Sequence, residues 1–402
     1  MAKRQLGLSK AKKRQKTESG STGPSNVLKE PVSAENVTIE LPASVSDDEF
    51  VQLKSLYSKY KSEQNELILN GVIHECDRLI RNEDSQKTPA FFYALYSNSL
   101  LELINYRDPS EVGDLIDLSL EKVILGIEVF PENIELQFQT SKVLLNQVMH
   151  QLGELKELKH TKSYDLEKDL ARALSAFEKA ETSSEIQDNF QLYNEETFET
   201  IKLFDEILEV VDNFGKSNLD NDSDEEEEDK DVQEEDSNVP ESIQNIRESD
   251  EFNQWWRDHV IKFYKVLQKQ DKKPEKLYKT VCFNLGQSYL KEAEEPANIF
   301  TTLKYDDSFT DSEINGLDEA TAQAIGIELF QTAINYLRQS WDDEDVSTWV
   351  NLSESLISLG NLHELESEDQ TKCYAEAEKI LVRANNVTNG KYKDILDNLL
   401  EE

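Results

Sequence analysis

The sequence predicts an all-α fold built as a helical-repeat solenoid, and three observations support this. Of the 402 residues, 31% are charged, whereas only 13 are glycine and 9 are proline, so helix formers greatly outnumber helix breakers. Apolar residues recur at helical spacing through most of the chain after residue 45. No run of alternating β-branched residues lies between turn signals, so strands are not expected.

Residues 1–45 combine Ser, Pro, Gly and charge without sustained periodicity, which predicts a disordered N-terminal arm. Seven of residues 2–16 are Lys or Arg and none is acidic, although the chain has a formal net charge of −39. Because the acidic body would repel phosphate, direct nucleic-acid binding is not expected. Lys13, Arg14 and Lys16 have the spacing of a nuclear import signal. The alternative is a solubilising tail.

A first set of helical repeats is predicted over residues 46–215. Its first helix is expected to begin at 46–49, where Ser-Asp-Asp-Glu fits a capping box with Ser46 as the cap. Pro109 and Pro131 are expected at helix starts or in turns. Further helices are predicted at about 64–82, 88–107, 111–130, 132–158, 164–181 and 195–214.

Residues 220–236 contain twelve Asp or Glu and one Lys, too much like charge to fold alone. The sequence therefore predicts a disordered acidic insertion over 216–248 and a second set of helical repeats over 249–402. Ser223 precedes three acidic residues, the context that acidophilic kinases favour, and is a candidate phosphorylation site. Helices are predicted from about 249 and at about 274–294, 318–341, 345–360, 368–386 and 391–401.

Four places carry fragments of a tetratricopeptide unit, in which small residues lie where paired helices touch. Together they favour a degenerate tetratricopeptide-like solenoid over an unrelated bundle, although no complete unit can be written. A solenoid presents an extended binding surface, but the fold alone does not prove that use. The fragments are Leu285-Gly286-x-x-Tyr289, Trp349-x-x-Leu352-Ser353-x-x-Leu356, Ala173-x-x-x-Phe177-x-x-Ala180, and the series Ser119, Val123, Gly126 and Pro131.

The first place to look for a metal site is His74 with Cys76. Two residues apart on a helix, their side chains point to different faces, so a structural histidine and a core cysteine are favoured. No phosphate-binding Gly loop, nucleophile elbow or kinase signature is present. We therefore predict no enzyme activity and no catalytic, cofactor-binding or metal-binding residues. Cys76, Cys282 and Cys373 indicate no disulfide framework, and no apolar run approaches a membrane span, so a soluble intracellular protein is expected.

Trp255, Trp256 and Arg257 follow the acidic segment and are candidate partner-binding residues. Adjacent residues on a helix point about 100° apart, so at least one indole is a candidate for exposure. Exposed Trp with Arg is the composition of an interface hot spot. The alternative is that Trp256 is a core residue and Trp255 covers the edge of a groove.

Two segments carry a resemblance to a known family: residues 1–10, Met-Ala-Lys-Arg-Gln-Leu-Gly-Leu-Ser-Lys, and residues 70–79, Asn-Gly-Val-Ile-His-Glu-Cys-Asp-Arg-Leu. The chain resembles the fungal family that contains the enhancer of translation termination and the negative regulator of the Ofd-type dioxygenase. The resemblance implies an all-helical nuclear protein without catalytic activity. It also implies that nuclear entry depends on Lys12, Lys13, Arg14 and Lys16.

The resemblance further implies an adaptor that binds a prolyl hydroxylase-like 2-oxoglutarate dioxygenase and promotes efficient stop-codon recognition. The iron and 2-oxoglutarate would belong to that partner, so no cofactor is expected here. An import receptor and the translation-termination machinery are the other expected partners, and the expected location is the nucleus, with shuttling left open. The residues alone leave one rival near parity, an acidic tetratricopeptide-type histone chaperone.

Overall fold

A computed structural model describes residues 48–82, 88–157, 164–215, 239–270, 272–306 and 308–400. The predicted all-α class is confirmed, because the described residues form fourteen α-helices. These are α1 (Glu49–Glu63), α2 (Glu66–Asn82), α3 (Ala90–Leu103), α4 (Pro109–Val129), α5 (Ile134–Glu157), α6 (Leu166–Ile186), α7 (Glu195–Asp212), α8 (Glu241–Glu248), α9 (Asp250–Lys269), α10 (Glu275–Tyr305), α11 (Glu319–Gln339), α12 (Val346–Asn361), α13 (Glu368–Val387) and α14 (Lys393–Leu400). Most bounds lie within a few residues of those predicted. None of the helices in the described ranges is long and apolar enough to cross a membrane.

Local capping explains where several helices begin. The cap of α1 is Asp48, whose carboxylate accepts the backbone N–H of Phe50 at 2.9 Å, whereas the predicted cap Ser46 lies outside the described residues. The Asn194 side chain caps α7 by accepting the N–H of Thr197 at 3.1 Å. Pro109 is the first residue of α4, as predicted, since proline at that position removes no helical hydrogen bond.

Consecutive helices pack in pairs, and small residues lie at the contacts: α3 packs on α4, α5 on α6, α10 on α11, and α12 on α13. A Cβ atom on Gly126 of α4 would lie 2.7 Å from Tyr93 Cβ on α3, and one on Gly286 of α10 would lie 2.7 Å from Leu337 Cγ on α11. Only a glycine hydrogen fits such gaps. The predicted small positions therefore bring paired helices together.

Three main clusters of buried side chains follow one another along the chain. The first joins α1 to α5, the second joins α5 to α10, and the third joins α10 to α13. Each helix thus shares its core with elements close to it in sequence, which is the packing expected of a helical-repeat protein. The overall architecture is the degenerate tetratricopeptide-like solenoid that the sequence predicts.

The predicted acidic insertion is wrong over its last residues, because 241–248 form α8. Ile243 and Ile246 are buried in the second cluster, with exposed fractions of 0% and 2%. Arg247 extends from α8 to the end of α7, where its guanidinium donates to the carbonyl oxygens of Val211 at 2.9 Å and Phe214 at 2.7 Å. Two isoleucines three residues apart give α8 one apolar face, a signal too short to stand out next to the acidic run. Residues 216–238 lie outside the described residues.

Helix α10 continues to Tyr305, well beyond the predicted end at residue 294, with Pro296 in its interior. A proline removes one backbone donor from a helix, so a position in the helix interior is unfavourable unless packing compensates for it. On both sides of Pro296 the helix buries apolar side chains in the third cluster, including Ala293 and Phe300. Packing against α11 therefore keeps the helix continuous.

One short hairpin corrects the expectation that strands are absent. Strand β1 (Glu313–Ile314) pairs antiparallel with β2 (Leu317–Asp318). The turn residues Asn315 and Gly316 have φ angles of 52° and 78°. The Asn-Gly pair is a strong hairpin signal, since both residues tolerate positive φ.

Candidate partner-binding groove

One cavity of about 330 Å³ is lined by four helices that do not follow one another in the chain: α1, α3, α5 and α7. We call it the four-helix cavity. Part of its wall is apolar, formed by Phe91, Leu95, Phe138 and Leu192. The volume lies at the lower end of the range for pockets that hold small ligands.

A chain of polar contacts crosses this cavity. Lys142 Nζ on α5 donates to Asn98 Oδ1 on α3 at 2.8 Å, and Asn98 Nδ2 donates to the hydroxyl of Tyr57 on α1 at 2.5 Å. That hydroxyl lies 3.5 Å from Glu196 Oε1 on α7. Burial raises the pKa of Tyr57, so the phenol keeps its proton and donates toward the carboxylate. The Asn98 amide is therefore oriented with its oxygen toward the lysine.

Lys142 is half-buried, and its hydrogen-bond partner is neutral. Burial lowers its pKa, although the carboxylates of Glu196 and Glu102 oppose that effect. No carboxylate among the described residues lies within 4.0 Å of its Nζ atom, and its hydrogen bond goes to an uncharged amide. Such an ammonium group retains N–H donors for a further acceptor.

Charges of both signs surround this group. Lys54 Nζ lies 3.6 Å from the centroid of the Phe91 ring, and Glu135 also lines the cavity. Burial raises the pKa of Glu135, while the charge of Lys54 opposes that shift. Glu196, which lines the cavity, also lies 3.8 Å from Lys61 Nζ of α1, and that ammonium group lies 2.9 Å from Glu102. Helices α1 and α7 therefore meet across one side of the cavity.

Two further openings adjoin the loop between α6 and α7, residues 187–194. The larger, of about 990 Å³, lies between that loop and the α9–α10 connection and includes Lys202, Lys272 and Lys276. It shares Asn194 with the four-helix cavity. A smaller opening of about 280 Å³ shares Leu192 with that cavity. Residues of this loop therefore border all three openings.

The predicted tryptophan pair lies on α9 and is divided between core and edge. Trp256 is 3% exposed and its indole N–H donates to the carbonyl oxygen of Ile201 at 3.2 Å, so it belongs to the core and offers no contact surface. Trp255 is half-buried, donates to Glu178 Oε1 at 2.8 Å, and stacks on the His259 ring with centroids 3.9 Å apart. Trp256 is therefore a core residue, as the alternative expected, and Trp255 is held at the surface by Glu178 and His259.

Arg257 connects α9 to α10. Its guanidinium donates to Ser288 Oγ at 3.3 Å, pairs with Glu292, and lies 4.8 Å from the centroid of the Tyr289 ring. Trp255 and Arg257 both reach the surface in part, and they remain candidate contacts.

The other predicted residues divide between described and undescribed parts of the chain. Lys12, Lys13, Arg14, Lys16 and Ser223 lie outside the described residues. His74 is exposed whereas Cys76 is fully buried with a pKa raised by burial, so the two side chains lie in different environments. No group of three or more His, Cys, Asp or Glu side chains in the described ranges could hold a metal ion.

Sequence reasoning missed Lys142, Asn98 and Glu181. Glu181 on α6 is 1% exposed, and its Oε2 atom lies 2.8 Å from His259 Nδ1 and 2.9 Å from Lys262 Nζ. The only sequence signal for the cavity is that Lys54, Asn98 and Lys142 recur at a spacing of 44 residues, close to the length of a long helical repeat. Glu181 has no comparable signal.

The paired helices, the successive cores and the cavity between non-consecutive helices define a helical-repeat protein with a ligand-sized groove. A family model described as "Nuclear pore complex subunit Nro1" matches residues 1–400, and the chain belongs to this family. It is similar to "Enhancer of translation termination 1" of Scheffersomyces stipitis, with 40% identity over 442 residues, and of Candida albicans strain WO-1, with 42% identity over 423 residues. Each alignment covers 100% of both chains. The family resemblance seen in the sequence is confirmed.

Solved structures support the same fold. One structure of the S. pombe nuclear import adaptor Nro1 superposes with a TM-score of 0.58 at 14% identity, covering 87% of this chain and 98% of that one. A second, described as "The hypoxic regulator of sterol synthesis Nro1 is a nuclear import adaptor", gives a TM-score of 0.57 at 13% identity, covering 86% and 92%. At such identity the likeness shows the fold alone.

Proposed function

We propose that this chain is a non-catalytic nuclear adaptor that binds a prolyl hydroxylase-like 2-oxoglutarate dioxygenase and promotes efficient translation termination. The observation that carries the proposal is the full-length match, at about 40% identity, to relatives named for translation termination. The description of S. pombe Nro1 as a nuclear import adaptor supports an import receptor as a second partner. In this proposal the iron and 2-oxoglutarate belong to the dioxygenase.

The test of the partner is a pull-down with the full chain and with a variant lacking residues 220–236, eluted over a salt series and identified by mass spectrometry. Recovery of a 2-oxoglutarate dioxygenase by both proteins is the expected result. Recovery of histones alone, and only when the acidic segment is present, would replace the adaptor with a histone chaperone. The salt series separates the two outcomes, because binding of histones to the acidic run is strongly screened.

The test of the cellular role is a stop-codon readthrough reporter in cells that lack the protein. We expect readthrough to rise without the chain and to return to its starting level when the chain is supplied. Unchanged readthrough would remove the termination role and leave the adaptor role to be judged by the pull-down.

Nuclear entry is tested by replacing Lys12, Lys13, Arg14 and Lys16 with alanine in a fluorescently tagged chain. The variant is expected to lose nuclear accumulation, because import receptors read clustered basic side chains. A matched control replaces Lys3, Arg4 and Lys10, which lie in the same arm outside the proposed signal. Equal nuclear fractions in the two variants would reject this assignment.

A further inference from the structure

We propose that the four-helix cavity binds the C-terminal carboxylate of a partner polypeptide whose last side chain is apolar, with Lys142 supplying the positive charge. The inference goes beyond the proposed function, because it concerns the chemistry of the ligand whichever protein supplies it. It rests on the geometry of four helices, α1, α3, α5 and α7.

The first step is the state of Lys142. Removing an ammonium group from water is unfavourable unless an opposite charge or several acceptors replace the lost hydration. Here the hydrogen bond at 2.8 Å goes to the neutral amide of Asn98, and Lys142 itself lines the cavity. Asn98 is itself fixed by its bond to Tyr57 and so holds the ammonium in place. A carboxylate in the cavity would supply both acceptor atoms and charge.

The second step is the charge of the ligand. Lys54 and Lys142 line the cavity together with Glu135 and Glu196, so the wall carries both signs. One added carboxylate beside Lys142 is favourable, whereas a phosphate or a run of acidic residues would also meet the two glutamates. A chain end with a single negative charge therefore fits better than an acidic segment.

The third step is the shape and apolar character of the cavity. Phe91, Leu95 and Phe138 offer an apolar surface near the lysine, and burying an apolar side chain there is favourable. Contacts from Glu196 to Tyr57 and Lys61 join α7 to α1 across one side. A volume of about 330 Å³ closed on that side suits the end of a chain and not a peptide that continues through.

The experiment presents the full chain with two random hexapeptide libraries on beads, one with free C-terminal carboxylates and one with amidated C-termini. Enrichment is expected from the free-carboxylate library alone, with an apolar last residue. A selected peptide is then remade with a fluorescein label at its N-terminus and its affinity is measured by fluorescence anisotropy. Amidation is expected to weaken it by about tenfold or more, the loss typical of removing a hydrogen bond between charged groups.

Three variants assign the binding to the cavity. Lys142→Met removes the charge at similar side-chain size, and Asn98→Asp places a competing carboxylate at the atom that now accepts from Lys142. Both are expected to abolish binding of the selected peptide. Lys291→Met is the matched control, because Lys291 is 68% exposed and pairs with Asp212 at 3.1 Å outside the cavity. The thermal midpoint and circular-dichroism spectrum of Lys142→Met are measured alongside, because the substitution leaves Asn98 Oδ1 without its hydrogen-bond donor. Loss of binding by a variant that remains folded at the assay temperature is then separable from unfolding.

Several results would overturn the proposal. These are equal enrichment from the amidated library, binding that survives Lys142→Met, no enrichment from either library, and selection of peptides with acidic last residues. A control peptide with this chain's own last six residues, Asp-Asn-Leu-Leu-Glu-Glu, should bind more weakly than a selected peptide, because it brings additional negative charge. None of these measurements uses the dioxygenase, so their failure is distinct from failure of the proposed adaptor function.

Discussion

Gly126 sets the distance between α3 and α4. A Cβ atom on this residue would lie 2.7 Å from Tyr93 Cβ, an atom that cannot rotate away, and 2.9 Å from Leu136 Cδ2. We expect Gly126→Ala to lower the free energy of unfolding by about 1–3 kcal/mol, because the two helices must move apart to admit the methyl group. Urea unfolding followed by circular dichroism measures the change.

Gly153→Ala is the matched control for this prediction. Gly153 lies in α5, is exposed, and has no atom within 4 Å of an added Cβ. There the substitution should raise stability by about 0.5–1 kcal/mol, since alanine loses less backbone freedom than glycine when a helix forms. Equal changes at the two sites would show that close helix contact is not what requires Gly126.

The three thiols differ in accessibility, which leads to a labelling prediction. Cys76 and Cys282 are fully buried, and burial raises the pKa of Cys282 to about 11. Cys373 is partly exposed, and burial together with the charge of Glu376 raises its pKa above the ordinary value. In the native protein, a maleimide should therefore label Cys373 first, at a rate that increases with pH.

Mass spectrometry of the labelled protein checks this order, and Cys373→Ser should remove the fast phase. Cys76 and Cys282 are expected to react only when urea exposes them. Labelling of either buried thiol at the rate of Cys373 would contradict the packing of α2 or α10.

Residues differ in how far their roles could be predicted from sequence. Gly126 and Gly286 were predictable, because the need for a small side chain arises between two paired helices and leaves a local spacing. Lys142 and Glu196 were not, since their cavity is formed by helices that pack together only in the folded chain. For the adjacent residues Trp255 and Trp256, the sequence did not decide which indole is buried, because that depends on tertiary packing.

At the scale of elements, we expect the fold to tolerate loss of residues 220–236 but not loss of α8. An added Cβ on Gly215 would lie 3.1 Å from Val239 Cγ2, so the chain on either side of residues 216–238 lies close together. Deleting 220–236 leaves six residues between Gly215 and Val239, enough to close a short loop. We expect this deletion to leave the thermal unfolding midpoint nearly unchanged at high salt.

A longer deletion, of residues 220–248, should lower that midpoint. It removes the buried side chains of Ile243 and Ile246 and the contacts of Arg247 with the end of α7. Differential scanning fluorimetry of the two variants and the full chain compares them directly. Equal midpoints for the two deletions would show that α8 contributes little to the fold.

The elements also show where periodicity succeeds and fails as a predictor. Long helices such as α5 and α13 were predicted nearly to their ends, because many turns repeat the same apolar spacing. The predicted end of α10 at residue 294 was too early, because local periodicity does not include burial against α11. The two-residue strands around Asn315 were missed because they have no room for alternation.

For the whole molecule, charge and core act in opposite directions. The three successive clusters hold neighbouring helices together, so no single central core connects distant parts of the described chain. The chain has 82 acidic and 43 basic residues. A net charge this large destabilises the compact state, because like charges repel one another. Surface ion pairs such as Arg338–Glu376 compensate only in part, because exposed pairs contribute about 0–1 kcal/mol each.

This balance predicts that salt stabilises the protein. Raising NaCl from about 0.01 M to about 1 M shortens the Debye length from about 30 Å to about 3 Å, which screens repulsion between distant charges. The thermal midpoint of the full chain should therefore rise with salt. Deleting residues 220–236 removes twelve acidic residues and one lysine and changes the formal net charge from −39 to −28, so the variant should gain less from the same salt.

The full chain and the variant lacking residues 220–236 have the same described core. Comparing their midpoints at each salt concentration therefore cancels the effect of NaCl on apolar hydration. The difference between their midpoints should be largest at low salt and should disappear as screening becomes complete. Parallel curves would mean that the acidic residues do not repel the rest of the chain. A midpoint of the full chain that falls with salt would mean that ion pairs between helices, such as Lys262–Glu181, contribute more to stability than self-repulsion removes.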